Sequence, residues 1–321
     1  MAETFFPVEI QKFKNSLKEI SFDVYLKLSE NNFAHVFSKS TGIDYKRLVY
    51  YIQKGIDYLY IRSADQKLYE EYSKSSPDKI LLDPNVSDSK KVSVLLNMAD
   101  QNIQELFNIV KVHQDVASTS VKIVKNFITL LSQNPRSLAT LVKTASHGDY
   151  LYYHSISVAV ISLFLAKAAG LKDPKILEIC GVGGFLHDIG LTLLPQEIVD
   201  SPTEFNAAQW RKMRLHPKLG VRMLETTPNV PDEVQYIILQ HHESPDGLGY
   251  PNGLRGQVIF YPAKIVSIAD SFCALITKRP YREAFNVEQA LSIIQSESGK
   301  FDVELVQTLV SIFQEQKRIA A

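Results

Sequence analysis

The chain has 321 residues, 45% of them hydrophobic, and its 35 Lys plus Arg balance 35 Asp plus Glu to a formal net charge of zero. This length predicts two domains, each with a core of its own. The balanced charge excludes a general positive field of the kind that attracts nucleic-acid polymers or anionic membranes, so an anionic ligand has to be bound locally.

The beginning of the sequence, MAETFFPVEIQKF, lacks the features of a secretory signal. The longest apolar stretch, around Val158 to Ala169, is interrupted by polar residues and is shorter than a bilayer-spanning helix. Cys180 and Cys273 are too few for a disulfide scaffold or a thiolate-rich metal site. We therefore predict a cytoplasmic protein that spans no membrane and uses His and carboxylates for any metal site.

Residues 1–88 are predicted to form a small α+β domain that ends in a linker. Short runs rich in β-branched and aromatic residues, FDVYLKL, FAHVFSK and IDYLYIR, surround a predicted helix, YKRLVYYIQKG. The following stretch, SKSSPDKILLDPNVSDSKK, is rich in Ser, Asp, Pro and Lys, which is typical of a linker. The domain shows no phosphate-binding loop and no DNA-binding helix, so we predict that it regulates the rest of the chain or binds a protein partner.

Residues 89–321 are predicted to be all-α. From Val92 to about Ala145, apolar residues recur at helical spacing with almost no Gly or Pro. The remainder continues this pattern, with breaks at stretches such as KAAGLKDP and ETTPNVPDE. The whole chain is therefore predicted to be mainly α, with lead-in helices before a C-terminal helical bundle.

A set of histidines and carboxylates in the C-terminal half carries the chemistry. Each residue taken alone is interpreted most simply as a hydrogen-bonded core or surface residue. Taken together they indicate one or more divalent metal ions, because imidazole and carboxylate suit Zn, Fe and Mn. Adjacent positions on a helix point about 100° apart, so the HisHis pair suits two ions or a helix end. The set consists of His154, His187, Asp188, His216, His241, His242 and Asp270.

Six segments between about His154 and Arg282 closely resemble the HD-GYP family, a branch of the HD-domain metal phosphohydrolases that hydrolyses cyclic di-GMP. In chain order they are HSISVAV, FLHDIG, HPKLG, HHESPDGLGYPNGL, AKIVSIADSFCAL and RPYR. The stretch HHESPDGLGYP fits the family pattern HHExxDGxGYP throughout. The resemblance implies an HD-type helical bundle and a phosphodiesterase that yields pGpG, GMP or both.

The resemblance also implies the metal ligands. One ion is held by His154, His187, Asp188 and Asp270, and the second by Asp188 as a bridge together with His216, His241 and His242. Some family members bind a third ion through a Glu at the position of Tyr150, so we predict two ions here. An iron pair is predicted, with manganese or another divalent ion as the alternative.

Two divalent ions that share a bridging hydroxide provide a nucleophile near neutral pH and neutralise the phosphoryl oxygens and the leaving group. We predict catalytic roles for Asp188, for Glu243 as an acceptor that orients a ligand imidazole, and for Tyr250 at the substrate pocket. The predicted substrate-binding residues are Gly249, Tyr250, Lys264 and Arg279, and the neighbouring Arg282 is a further planar donor.

Three positions depart from the family pattern. Leu191 replaces a lysine that usually approaches the substrate phosphate, Cys273 replaces an aspartate, and Lys264 replaces an arginine. One lost phosphate contact costs about 1.5 to 3 kcal/mol. Two alternatives therefore stay open: an inactive or slow member that acts as a cyclic di-GMP receptor or protein scaffold, and a hydrolase of another cyclic dinucleotide or phosphoester.

Overall fold

The computed structural model describes residues 3–14, 19–30, 32–74, 77–107, 112, 114–134, 150–199, 201, 203, 205–225, 227–278 and 282–320. The chain divides into two compact units, Met1–Glu105 and Leu106–Ala321. This division lies later than the domain boundary that the sequence predicts after residue 88, which stays a prediction.

The first unit contains a four-stranded antiparallel sheet with the strand order β1-β4-β2-β3. The strands are β1 Phe5–Glu9, β2 Val24–Ser29, β3 Asn32–Phe37 and β4 Tyr58–Arg62. Helix α1, Tyr45–Gln53, follows β3 and is capped by the Asp44 carboxylate, which accepts from the Arg47 amide at 3.2 Å. The core of the first unit is rich in aromatic side chains such as Phe13, Phe22 and Phe37. The α+β prediction is confirmed.

Three further helices complete this unit, one of them within the predicted linker. They are α2 Gln66–Lys74, α3 Pro77–Leu82 and α4 Asp88–Leu106. Helix α3 occupies the middle of the predicted linker, which corrects that prediction. The Glu105 carboxylate near the end of α4 lies 2.6 Å from the Lys14 amine and accepts from the Tyr45 hydroxyl at 3.3 Å. These contacts explain why the compact unit extends to Glu105.

The second unit is helical over its described residues, as predicted. Its helices are α5 Gln114–Gln133, α6 Tyr150–Ala168, α7 Pro174–Leu186, α8 Gln196–Val199, α9 Ala207–Met213, α10 His216–Leu224, α11 Glu233–Gln240, α12 Tyr261–Ile276, α13 Val287–Ser296 and α14 Val303–Ala320. Their beginnings follow the sequence: Asp173 caps α7 ahead of Pro174, and capping boxes start α9 and α13.

Helix α7 is the central helix of this unit because small residues let its neighbours approach closely. A Cβ added to Gly184 would lie 3.0 Å from the Cα atom of Ala159 in α6. The segment Pro174–Leu193 is long and apolar enough to cross a membrane, and 72% of its most apolar window is buried inside the protein. Core helices of globular units show the same burial.

A 3-10 turn, Ile189–Leu193, follows α7 and lies directly against α10. A Cβ on Gly190 would overlap the His216 carbonyl oxygen and contact the Gly220 amide nitrogen, and both are backbone atoms. Only glycine permits this approach. The approach brings the end of α7 next to the beginning of α10.

Gly190→Ala is expected to lower the melting temperature of the metal-free protein strongly, because the backbone of α10 has to move away. Overpacking costs roughly 1 to 3 kcal/mol, and more where backbone shifts. Gly253→Ala is the control: its φ of 66° costs about 1 kcal/mol, but the nearest atom to the added Cβ lies 3.5 Å away. A Gly190→Ala protein that melts at or above the temperature of the control would contradict the close approach.

Candidate metal centre

Seven side chains from five helices converge in the second unit, most of them from helix ends. His154 lies in the first turns of α6, and Asp270 lies in the middle of α12. The others end α7, begin α10 or follow the last turn of α11. These are His187, Asp188, His216, His241 and His242.

The first cluster joins α6, α7 and α12. His154 Nε2 lies 3.0 Å from Asp270 Oδ1, and His187 Nε2 lies 3.2 Å from Asp188 Oδ2 and 3.9 Å from Asp270 Oδ1. The ligand atoms of His154, His187 and Asp188 all lie within 4.8 Å of one another. They are close enough for one ion to contact all three.

The second cluster shares Asp188 with the first. Asp188 Oδ1 lies 3.2 Å from His216 Nε2 and 3.8 Å from His241 Nε2. The ligand atoms of Asp188, His216, His241 and His242 lie within 4.8 Å of one another. The structure thus brings the predicted ligands together as two groups with one carboxylate in common.

Backbone carbonyls fix three of the imidazole rings. His187 Nδ1 pairs with the Gly184 carbonyl, His216 Nδ1 with Met213 and His241 Nδ1 with Ile238, each at 2.8 Å. A carbonyl only accepts, so each Nδ1 donates a proton, and each ring in its neutral form presents the Nε2 lone pair to the centre. The sequence analysis missed these contacts, although each carbonyl belongs to the residue three positions before its histidine.

The Nε2 lone pairs of neighbouring histidines face one another, an arrangement that a cation between them stabilises. His216 Nε2 lies 3.3 Å from His241 Nε2, and neither atom has a proton to donate when both Nδ1 atoms are protonated. His187 Nε2 is fully buried and has no hydrogen-bond partner among the described residues. Buried lone pairs that converge on one place are stable around a cation. This donor set fits divalent ions of the Zn, Fe or Mn kind.

The charges of the centre agree with that fit. Burial acts to raise the pKa of Asp188 and Asp270, but the neighbouring histidines hold both pKa values below the usual range. Burial lowers the pKa of His242 to about 3 and also lowers the pKa of the other two histidines of the second cluster. Burial opposes protonation of His187, yet Asp188 and Asp270 raise its pKa to about 9. The carboxylates therefore favour a positive charge at this place.

Glu243 holds the loop after the HisHis pair rather than a ligand imidazole. Its carboxylate oxygens accept from the Asn252 amide at 2.7 Å and the Leu254 amide at 2.8 Å, and the residue is 3% exposed. The described imidazole Nδ1 hydrogen bonds go to carbonyls instead. This corrects the predicted imidazole-orienting role of Glu243 and assigns it to the shape of the loop.

Gly249 and Tyr250 fold the same loop back onto the HisHis pair. A Cβ on Gly249 would collide with the backbone of Ser244 and His242, so the loop passes too close for any other residue. The Tyr250 amide donates to the His242 carbonyl at 3.0 Å. The centroids of the Tyr250 and His242 rings lie 4.6 Å apart, with 30° between the ring planes. Both residues line the cavity described next, as the predicted substrate contacts require.

A cavity of about 850 Å³ opens beside the two clusters. Five of the seven side chains of the two clusters line it: His154, Asp188, His216, His242 and Asp270. Three residues that the sequence analysis did not single out also line it: Trp210, Arg214 and Lys300. Ligand pockets of proteins usually measure roughly 300 to 1,000 Å³, so this one suits a ligand of dinucleotide size.

Lys264 and Cys273 do not line this cavity, which corrects the predicted substrate contact of Lys264. The Lys264 amine is 3.3 Å from Asp302 Oδ2, and its side chain is 4% exposed. Lys264 lies six positions before Asp270 and therefore on a different face of α12. Cys273 is fully buried, and burial raises the pKa of its thiol. Leu191 alone of the three departures lines the cavity.

The two predicted arginines have different outcomes. Arg282 caps the end of α12, because its guanidinium donates to the Ala274 carbonyl at 2.8 Å and the Leu275 carbonyl at 3.2 Å. Its donors therefore serve the helix. Arg279 lies outside the described residues, and so does the side chain of Tyr150.

A family model for the HD domain matches residues 125–305, more than half of the chain, so the chain belongs to the HD domain family. The family model and the relatives named below support the resemblance to the HD-GYP branch. A solved HDGYP protein of Bdellovibrio bacteriovorus has the same fold, with a TM-score of 0.68 at 20% identity over 97% of this chain and 100% of its own.

Two curated relatives carry names that state a reaction. A cyclic di-GMP phosphodiesterase of Pseudomonas aeruginosa is 28% identical over 73% of this chain and 56% of its own length. A 3′3′-cGAMP-specific phosphodiesterase of Vibrio cholerae is 29% identical over 69% of this chain and 40% of its own length. The chain thus spans about half the length of these relatives, or less.

Divalent ions are expected to raise the melting temperature of protein that has been dialysed against a chelator. An ion that binds only the folded state stabilises it by about 2.7 kcal/mol at 100 times its Kd. Calorimetry with added Mn²⁺ or anaerobic Fe²⁺ measures this shift, and Asp188→Ala, which removes the shared carboxylate, is expected to lose most of it. An equal response of both proteins would contradict the assignment of the centre.

Glu243→Gln is expected to loosen the loop while the metal content stays unchanged. The amide keeps one acceptor and turns an NH2 group toward a backbone N–H, at a cost of about 1.5 to 3 kcal/mol. Limited proteolysis between residues 243 and 254 reports the loosening, and elemental analysis reports the metal. Glu233→Gln on α11, whose ion pair with Lys175 is at the surface, is the matched control. Loss of metal from Glu243→Gln would instead support a role on a ligand imidazole.

Proposed function

We propose that this chain is a metal-dependent phosphodiesterase that hydrolyses cyclic di-GMP to pGpG, GMP or both in bacterial second-messenger signalling. The observation that carries the proposal is the pair of clusters that share Asp188 and border a cavity of about 850 Å³. We further propose a cytoplasmic location, and a regulatory or partner-binding role for residues 1–88.

The proposed ligand sets are those that the resemblance implies, with two ions and iron as the preferred metal. When bound, such ions supply a water that is deprotonated near neutral pH and neutralise charge on the phosphoryl oxygens. Asp188 contributes one oxygen to each cluster, since Oδ2 lies near His187 and Oδ1 near His216. It therefore sets the spacing between the two clusters.

Tyr250 is proposed to bound the substrate beside the second cluster. Burial, and after it the negative charge of Asp188, raises the pKa of its hydroxyl, so the group stays protonated and donates a hydrogen bond. Glu243 and Gly249 hold Tyr250 in place through the loop backbone. A neutral donor beside a phosphodiester oxygen stabilises negative charge that develops there.

One observation favours a second candidate, a slow or inactive cyclic di-GMP receptor or protein scaffold. Leu191 is 8% exposed on the cavity wall, where a cation for the substrate phosphate is expected from the resemblance. A different substrate is the third candidate, since the curated relatives divide between cyclic di-GMP and 3′3′-cGAMP. Both of those dinucleotides contain guanine.

Metal-loaded protein is expected to convert cyclic di-GMP to linear product, as measured by chromatography, and Asp188→Ala is expected to form none. Leu191→Lys is expected to raise turnover by roughly tenfold or more, because an added phosphate contact lowers the barrier by at least about 1.4 kcal/mol. Tight nucleotide binding without metal-dependent product from the unaltered protein would favour the receptor. Turnover of 3′3′-cGAMP alone would favour the third candidate.

A further inference from the structure

One wall of the cavity is aromatic and carries a single arginine. Trp210 in the middle of α9 packs edge-on against Phe205, with ring centroids 5.3 Å apart at 88°. The Arg214 guanidinium carbon lies 5.9 Å from the Trp210 ring centroid and 5.3 Å from that of Tyr250. All four residues line the cavity. We call Trp210, Arg214 and Tyr250 the aromatic wall.

Arg214 keeps its hydrogen-bond donors available. Within the described residues its guanidinium makes no hydrogen bond and no ion pair, and it packs beside the two rings. Arg282 is the contrast within the same unit, because its guanidinium donates to main-chain carbonyls. The two rings lie beside the guanidinium, and its N–H groups are available to a ligand in the cavity.

We propose that the aromatic wall binds one guanine of the substrate, with Arg214 donating to guanine O6 and N7. This inference rests on the proposed cyclic dinucleotide activity and adds a residue that determines base specificity. Arginine pairs with those two acceptors in a bidentate manner, and bases stack on aromatic rings and on guanidinium planes. Adenine presents an amino donor where guanine presents O6, so Arg214 disfavours it.

The position of the wall suits a base rather than the reacting phosphate. Arg214 precedes His216 by two residues, and Tyr250 packs on His242, so the wall adjoins the second cluster without belonging to it. A dinucleotide whose phosphodiester lies at the metal centre has its base directed away from it along the cavity. Trp210 is 44% exposed, which leaves a ring face available for stacking.

The test measures the affinity of metal-loaded protein for hydrolysis-resistant phosphorothioate analogues of cyclic di-GMP, 3′3′-cGAMP and cyclic di-AMP. Arg214→Ala and Arg214→Lys are expected to weaken binding of both guanine-containing ligands, in the alanine variant by on the order of tenfold to a hundredfold. Binding of cyclic di-AMP is expected to change little, so discrimination against adenine is lost. Trp210→Ala is expected to weaken all three ligands, and Trp210→Phe to restore most of the loss.

Arg211→Ala is the matched control, since this exposed arginine lies on the same helix and does not line the cavity. It is expected to match the unaltered protein for every ligand. Melting temperature and metal content of each variant show whether the fold and the metal centre are intact.

Two outcomes would overturn the inference while the proposed function stands. An equal loss for all three ligands in Arg214→Ala would mean a phosphate contact, and no loss in that variant would mean no contact at all. If the unaltered protein binds none of the analogues and hydrolyses none of the natural dinucleotides, the proposed function itself is wrong, and the inference is wrong with it.

Discussion

The second unit is organised around one carboxylate, Asp188, which is 15% exposed and faces histidines on both sides. Removing a carboxylate from water costs several kcal/mol, and the cost is offset only by opposite charge and well-placed donors. Five helices supply the side chains of the two clusters that share it. The metal centre is therefore the place where α6, α7, α10, α11 and α12 meet.

Helix ends position several of the ligand side chains. The last carbonyls of a helix have no partner within the helix, and the ends of α7 and α11 use such carbonyls to fix ligand rings through Nδ1. Each imidazole thus satisfies a backbone acceptor through Nδ1 and directs its Nε2 atom at the centre. The close approach at Gly190 adds the beginning of α10 to the same arrangement, so that backbone geometry and ligand geometry are set together.

The sequence alone predicted the helical bundle, the α+β unit and the residues that meet at the centre, because those follow from periodicity and from a highly specific motif. It failed where a side chain can choose among several partners. Lys264 pairs with Asp302, Arg282 with the end of α12, and Glu243 with the amides of its own loop. None of these partners is visible in local spacing. Arg214 was missed for the same reason, since its neighbours Trp210 and Tyr250 are far apart in sequence.

The loop that Glu243 holds has a fixed length. The Glu243 carboxylate at its beginning accepts hydrogen bonds from the amides of Asn252 and Leu254 at its end. Between them, the Tyr250 amide donates to the His242 carbonyl. An insertion or deletion between these points would break at least one of these hydrogen bonds and move Tyr250 relative to the cavity. Change in ligand preference is therefore easiest in α9 and the turn after it, where side chains reach the cavity without carrying the metal centre.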